Sequence, residues 1–199
     1  MVKVGAIIQA RMGSTRLPGK VMKKINNREL LGYSYHRASQ SSLLDLVIIA
    51  TTKNKKDDVI VQWCQEKNIT YTRGSEDDVL DRYYQTAKEY QLDIIVRLTS
   101  DNPFCDPKII DMLIKKIIES DTDYVSNRIK KRTYPYGLDA EVFTFASLKE
   151  AWQNANLKEQ REHVTPYIMS HPKKFKLLEV QNNEDLADYR LTVDDPEDF

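Results

Sequence analysis

Val4-Gly5-Ala6-Ile7-Ile8-Gln9-Ala10-Arg11-Met12-Gly13-Ser14-Thr15-Arg16-Leu17-Pro18-Gly19-Lys20 is the stretch from which the rest of the chain can be read. Val4 to Ile8 is a short apolar run next to the N-terminus, ended by turn residues, which is the pattern of a buried strand. A loop follows Gln9. Gly13 and Gly19 let its backbone come close to a ligand. Ser14 and Thr15 add hydroxyl donors, and loop N–H groups can converge as an anion nest. Arg11, Arg16 and Lys20 bring positive charge, the arginines as planar forks that suit phosphate oxygens. The combination reads as a polyphosphate cradle at the carboxyl end of the first strand. A solvated basic loop with an ordinary Pro18-Gly19 turn accounts for the same residues. The segment has neither the Lys-Ser/Thr pair of a Walker A loop nor the spaced glycines of a dinucleotide fold.

Outward from this strand, apolar runs and helical patterns alternate. Glu29 to Ser39 places Leu30, Leu31, Tyr35 and Ala38 at helical spacing. Leu46 to Ala50 is a second buried strand, and Lys56 to Lys67 is a helix with Val59, Ile60, Trp63 and Cys64 on one face. A short strand at Ile69 to Thr72, a helix at Asp77 to Tyr90, a strong strand at Asp93 to Leu98, a helix at Pro107 to Glu119 and a strand around Tyr124-Val125 follow. This alternation predicts an α/β fold of three layers, a mostly parallel twisted sheet with helices on both faces. Ligands of such sheets bind beyond the carboxyl ends of the strands.

Length and charge bound the function. The 199 residues suit one domain, 1–199, with a sizeable core. Thirty basic residues balance thirty acidic ones, which gives no sign of bulk nucleic-acid or membrane-surface binding. Cys64 and Cys105 make no metal-ligand pattern, and a reduced cytoplasmic chain is expected. The first strand begins at once after Met1-Val2-Lys3, so no signal peptide is expected, and no apolar run reaches membrane-spanning length.

Three further places stand at strand ends. Thr72-Arg73-Gly74-Ser75-Glu76-Asp77-Asp78-Val79-Leu80-Asp81-Arg82 turns at Gly74 into a helix, with Ser75 as an N-cap and an acidic first turn. Leu98-Thr99-Ser100-Asp101-Asn102-Pro103 puts a carboxylate after an apolar strand, where it can hold a cation or start a turn. Arg190-Leu191-Thr192-Val193-Asp194-Asp195-Pro196-Glu197-Asp198-Phe199 offers a short strand at Leu191 to Val193. Its Asp195-Pro196 pair also fits a helix start. Before that tail, Arg128 to Arg132 is a basic run expected in solvent or at an oligomer edge. Tyr134 to Phe143 passes from loop to alternating strand, with Asp139 and Glu141 on one face. That face can meet sugar hydroxyls or a substrate ammonium, or simply water. Gln160 to Ile168 reads as a helix with Val164, Tyr167 and Ile168 inward, on which His163 is structural or substrate-facing.

Ala10-Arg11-Met12-Gly13-Ser14-Thr15-Arg16-Leu17-Pro18-Gly19-Lys20 resembles the N-terminal signature of the cytidylyltransferases that make CMP-activated sugars, the CMP-Kdo synthetases and acylneuraminate cytidylyltransferases. It is most similar to their SpsF-like branch, as is Arg161-Glu162-His163-Val164-Thr165-Pro166-Tyr167. The resemblance implies a nucleotide-diphospho-sugar transferase-like fold. It implies CTP held by Ala10, Arg11, Gly13, Ser14, Thr15, Arg16 and Lys20, with Arg73, Gly74, Ser75 and Asp78 at the base and ribose. In the middle of that second segment the chain has Ser75-Glu76-Asp77-Asp78 where CMP-Kdo synthetases carry a His-Gln-Ser-Gly pattern. Asp101-Asn102-Pro103 is similar to a Gly-Asp-x-Pro element whose aspartate binds Mg²⁺, with Ser100 in place of the glycine. Asp194 is similar to the second metal ligand of a Val-Asp-x-Pro-Glu-Asp element.

The activity implied is transfer of CMP from CTP to a hydroxyl of a sugar or sugar acid, with release of pyrophosphate, for surface-polysaccharide or glycoconjugate synthesis. Arg11, Lys20 and Asp101 are its expected catalytic residues, Asp101 and Asp194 its Mg²⁺ ligands, and a homodimer its expected form. Tyr136, Gly137, Asp139, Glu141, Glu162 and His163 are the candidates for the second substrate. A nucleotide-sugar-dependent glycosyltransferase, or a nucleotide-binding module without turnover, are the alternatives. The helix start at Asp195 has no residues to follow it, and relatives continue past this point, which leads to the expectation of a C-terminal truncation.

Overall fold

A computed structural model describes residues 2–199. Seven strands form one sheet in the order β5-β4-β1-β6-β8-β7-β9. β1 (Val4–Gln9) lies in its interior, parallel to β4 (Leu46–Thr52) on one side and β6 (Ile94–Thr99) on the other. β5 (Tyr71–Gly74) continues the parallel order beyond β4. Beyond β6, β8 (Glu141–Thr144) runs antiparallel, and β7 (Tyr124–Ser126) and β9 (Leu177–Glu179) return to the common direction. β2 (Lys24–Ile25) and β3 (Arg28–Glu29) make a separate two-stranded hairpin.

β1 is apolar on both faces because helices cover both. α1 (Leu30–Ala38), α2 (Asp58–Glu66) and α4 (Pro107–Glu119) pack Leu31, Ile60, Trp63 and Ile114 against Ala6 and Ile8. On the other face α3 (Val79–Glu89), α5 (Phe145–Asn154) and α7 (Pro166–Ser170) bring Leu80, Tyr83, Leu148 and Ile168 to Ile7. α6 (Lys158–His163) precedes α7. Gly5 has a packing reason, since a Cβ there would lie 2.7 Å from the Leu92 side chain. The chain leaves β1 toward β4 on one side and reaches β6 on the other, so the carboxyl end of β1 is a topological switch point. The three-layer α/β expectation is met, with β8 as the antiparallel member.

Four local expectations are corrected. The short strand starts at Tyr71 and not at Ile69, because Asn68 adopts φ 53° and Ile69 N–H bonds Cys64 C=O, closing α2 with a left-handed cap. Asp78, not Ser75, caps α3, accepting from Asp81 N–H at 2.9 Å, while Ser75 Oγ accepts from Asp78 N–H one turn earlier. The helix from Gln160 to Ile168 is broken at Val164, whose φ of 72° and ψ of −56° with a Thr165 N–H to His163 C=O bond make a strained γ-turn. Leu191 to Val193 forms no strand, since its backbone partners change from Tyr136 to Asp101 along the way.

Candidate active site

The loop after β1 is shaped by its own carbonyls and by one buried carboxylate. Met12 C=O accepts from Ser14 N–H at 2.9 Å and from Gly19 N–H at 3.1 Å, and Gly19 takes φ 69° to allow it. Asp57, fully buried, accepts from Met12 N–H at 2.7 Å and from the Thr52 hydroxyl. Among the described residues, the N–H groups of Gly13, Thr15 and Arg16 donate to no protein atom, as an anion nest requires. A Cβ on Gly13 would stand 3.0 Å from Lys56 Nζ and 3.1 Å from Glu76 Oε1.

This loop opens on a cavity of about 280 Å³ lined by Ala10, Arg11, Gly13, Ser14, Thr15, Arg16 and Lys20, together with Asp101 and Asp194. All seven loop residues expected at a triphosphate are thus brought together with both expected metal ligands. Lys20 Nζ, buried, donates to Asp101 Oδ2 at 3.0 Å, Asp194 Oδ1 at 3.1 Å and Val193 C=O at 2.8 Å. Arg16 also reaches Asp194 Oδ1, at 3.0 Å. Burial opposes the Asp194 charge, but the Lys20 hydrogen bond and the Lys20 and Arg16 charges outweigh it and hold the carboxyl below its ordinary pKa. No cluster of three or more His, Cys, Asp or Glu side chains among the described residues is placed to hold a metal.

The other nucleotide candidates lie to one side. Arg73, Gly74 and Ser75 line an adjoining cavity that shares Arg82 with the first. Arg73 is already engaged, donating to Thr52 C=O and Asn54 C=O and pairing with Asp58 at 2.7 Å. Asp78 lines neither cavity, and its carboxylate is held by Arg161 as well as by the start of α3.

A second cavity, of about 390 Å³, meets the first at Thr99, the last residue of β6. Asp139, Glu141 and His163 line it, with Arg97, Asn102, Ser126 and Arg128. Asp139 and Glu141 are not on an open strand face. Glu141 accepts from Tyr124 and Thr165 hydroxyls, both at 2.6 Å, and from Arg97. Burial works against its charge, and Arg97 with these donors brings its pKa below the ordinary glutamate value. Asp139 takes a bidentate pair from Arg132 at 2.7 and 2.9 Å, and the Arg132 guanidinium lies 3.7 Å from the centre of the Tyr136 ring. Arg132, expected in solvent, is therefore a half-buried partner, because Asp139 offers it both oxygens.

Tyr136, Gly137 and Glu162 do not line the second cavity. Gly137 has a different task. Its φ is 100°, and a Cβ would sit 2.7 Å from the Leu191 carbonyl carbon. It lets the tail lie against the loop, where Leu191 N–H bonds Tyr136 C=O and Val193 N–H bonds Asp101 C=O. That seat delivers Asp194 to Lys20. Asp195 caps a turn, accepting from Asp198 N–H at 3.3 Å, rather than a helix.

Sequence reasoning passed over Gln9, Arg82, Thr99 and Ser100 in the first cavity and Arg97, Arg128 and Thr165 in the second. Two signals were available. Arg97 interrupts the apolar run Ile94-Ile95-Val96, and Arg82 sits within the inward spacing of Val79, Leu80 and Tyr83. A charge so placed must find a partner or a ligand.

Comparison with known proteins agrees with this geometry. Residues 5–199 match the family model described as Cytidylyltransferase. The spore coat polysaccharide biosynthesis protein SpsF of Bacillus subtilis is 37% identical over 204 residues, covering 97% of this chain and 82% of its own. The solved structure of a cytidylyltransferase from Leptospira borgpetersenii superposes with a TM-score of 0.94 at 38% identity, over 100% of this chain and 84% of that one. A CMP:2-keto-3-deoxy-manno-octonic acid synthetase complexed with CTP shares the fold, with a TM-score of 0.74 at 18% identity over 98% of this chain and 94% of that one.

Proposed function

This chain belongs to the cytidylyltransferase family, and from that we propose that it transfers CMP from CTP to a hydroxyl of a sugar or sugar acid, releasing pyrophosphate. The observation that carries the reading is the meeting of two unlike cavities at Thr99. One is rimmed by cations and free N–H groups and suits a triphosphate. The other is polar, lined by Asn102, Ser126, Arg128 and the paired carboxylates, and suits a hydroxylated acceptor. An acceptor hydroxyl placed at the junction would face the α-phosphate of a nucleotide lying in the cradle.

In this reading Arg11, Arg16 and Lys20 hold the triphosphate and stabilise charge on the departing pyrophosphate. Arg73, Gly74, Ser75 and Arg82 flank the base and ribose. Asp101 and Asp194 fit a Mg²⁺ ion, since both carboxylates converge within 3.1 Å of one ammonium and Mg²⁺ needs one or two carboxylates beside phosphate oxygens and water. When bound, the ion neutralises phosphate charge and eases ionisation of the attacking hydroxyl. The name of the Bacillus subtilis relative supports polysaccharide precursors as the product class, and the CTP complex of the structural neighbour supports CTP as the donor. Cys64 and Cys105 are buried, and burial pushes both thiols up to about 12, which leaves them poor nucleophiles. We assign a homodimer as the working form on the family resemblance.

The test is pyrophosphate release with Mg²⁺ and each nucleoside triphosphate in turn, against a panel of 2-keto-3-deoxy sugar acids. Release with CTP and an acid, and with neither alone, is the expected result. Sugar transfer from a nucleotide sugar in place of pyrophosphate release would make the chain a glycosyltransferase and overturn the proposal.

A further inference from the structure

The position of Lys20 raises a question that the triphosphate reading alone leaves open. A lysine serving only phosphate would point into the cradle. Here all three ammonium protons are taken, by Asp101 Oδ2, Asp194 Oδ1 and Val193 C=O, at 3.0, 3.1 and 2.8 Å. The side chain is only 10% exposed, so these contacts are little weakened by water. Both carboxylates are also pre-aimed. The Thr99 hydroxyl holds the other oxygen of Asp101 at 2.6 Å, and Thr192 holds that of Asp194 at 3.3 Å. The oxygens left to face each other are the two that Lys20 joins, Asp194 Oδ1 being met also by the exposed Arg16 at 3.0 Å.

Resting on the nucleotidyl-transfer reading, we propose that Lys20 is a latch: in the nucleotide-free protein its ammonium occupies the place between Asp101 and Asp194 and closes that pair to a divalent cation. A monovalent ammonium and a divalent ion cannot both sit within reach of the same two oxygens without strong repulsion. Lys20 also lines the cradle beside Ser14 and Thr15. A triphosphate there offers the ammonium more negative charge than two carboxylates do, and a four-carbon stem lets it turn without moving the backbone. The pair opens as the phosphates arrive, so metal enters with the nucleotide and not before it. In free protein the latch also joins the cradle, the turn after β6 and the tail.

The test reads metal binding directly. Loss of the free Mn²⁺ electron paramagnetic resonance signal is measured without nucleotide for wild type, Lys20→Met and Lys20→Met/Asp101→Asn. Lys20→Met should bind one ion at least about ten-fold more tightly than wild type, and the double variant should lose that gain. Equal affinity in wild type and Lys20→Met overturns the latch. Wild type gives a second readout that does not depend on the variant folding. Mg²⁺ alone should leave its thermal midpoint unchanged, and a rise with Mg²⁺ in the absence of nucleotide contradicts the proposal. CTP binding to wild type separates this from the function itself. Bound CTP with no gain of Mn²⁺ affinity in Lys20→Met sinks the latch and leaves the reaction standing. The expected Mn²⁺ pattern with no CTP binding leaves the closed pair standing and sinks the reaction.

Discussion

In the cradle Arg11 meets Glu76 at 3.8 Å and Arg16 meets Asp194 at 3.0 Å, with side chains 42% and 61% exposed. At the second cavity Arg97, which lines it, and Arg132, which holds the Asp139 of its wall, are 14% and 13% exposed, and each is bound to a carboxylate of its own, Glu141 or Asp139. The same residue type therefore has two roles a short distance apart. Exposed and loosely paired arginines are free to turn to an incoming polyanion, and their pairs add little to stability. Buried arginines matched to carboxylates are committed to the fold, and removing one partner strands the other. In the proposed reading the cradle gathers charge for a ligand, whereas the second cavity uses its charge to hold its shape, with Ser126, Asn102 and the half-exposed Arg128 also in its wall.

The largest expected effect falls on the committed side. Glu141→Gln leaves Arg97 buried beside a neutral partner and should cost about 3–5 kcal/mol of stability by denaturant unfolding. A cost like that of a surface substitution would mean the pair is not what holds the cavity. On the responsive side, Lys20→Ala should lower kcat/KM by roughly 10²–10³, about 2.7–4 kcal/mol in the transition state, in the pyrophosphate-release assay. Near-full turnover would remove Lys20 from the site. Gly137→Ala sharpens the contrast through the tail that carries Asp194, because a Cβ meets the Leu191 backbone at positive φ. A loss of about 1–3 kcal/mol is expected from backbone strain, with activity falling as Asp194 is displaced.

Acid tests the paired carboxylates directly. Glu141 and Asp194 both have lowered pKa values in the fold, so the unfolded chain holds more protons near their ordinary values of about 4. Their contribution is complete above that pH and disappears as pH falls through the lower folded values. Stability measured from pH 6 downward should stay level and then drop below about pH 4, more gently in Asp194→Asn. The smallest change is expected for Arg16→Ala, within about 0.5 kcal/mol of wild-type stability, although nucleotide affinity falls. A large loss of stability there would erase the distinction between the two regions.

What could be read from the residues follows the same division. The cradle is contiguous in sequence, so its glycines, hydroxyls and cations announce it together, and all but Gly19 line one cavity. Asp101 and Asp194 lie 81 and 174 positions from Lys20, and only the family resemblance joined them beforehand. The committed pairs were not legible as pairs. Asp139 and Glu141 alternate along the chain like an open strand face, and nothing local says that Arg132 folds back onto one and Arg97 reaches the other across the sheet. The main strand and helix order as far as β7 was legible from apolar spacing, but the β2–β3 hairpin, α5, β9 and the helix ends were not. Asn68 and Gln91 close α2 and α3 with left-handed caps that shift the following strands by a residue or two.

The claim on which the rest depends is that the cradle holds a triphosphate. Calorimetric titration of wild type with CTP, CDP and CMP at low and at high salt tests it most directly. Affinity should rise steeply with each added phosphate, fall as salt rises, and lose most of that dependence in Arg11→Ala/Arg16→Ala. CMP bound as tightly as CTP, with no effect of salt, would contradict it.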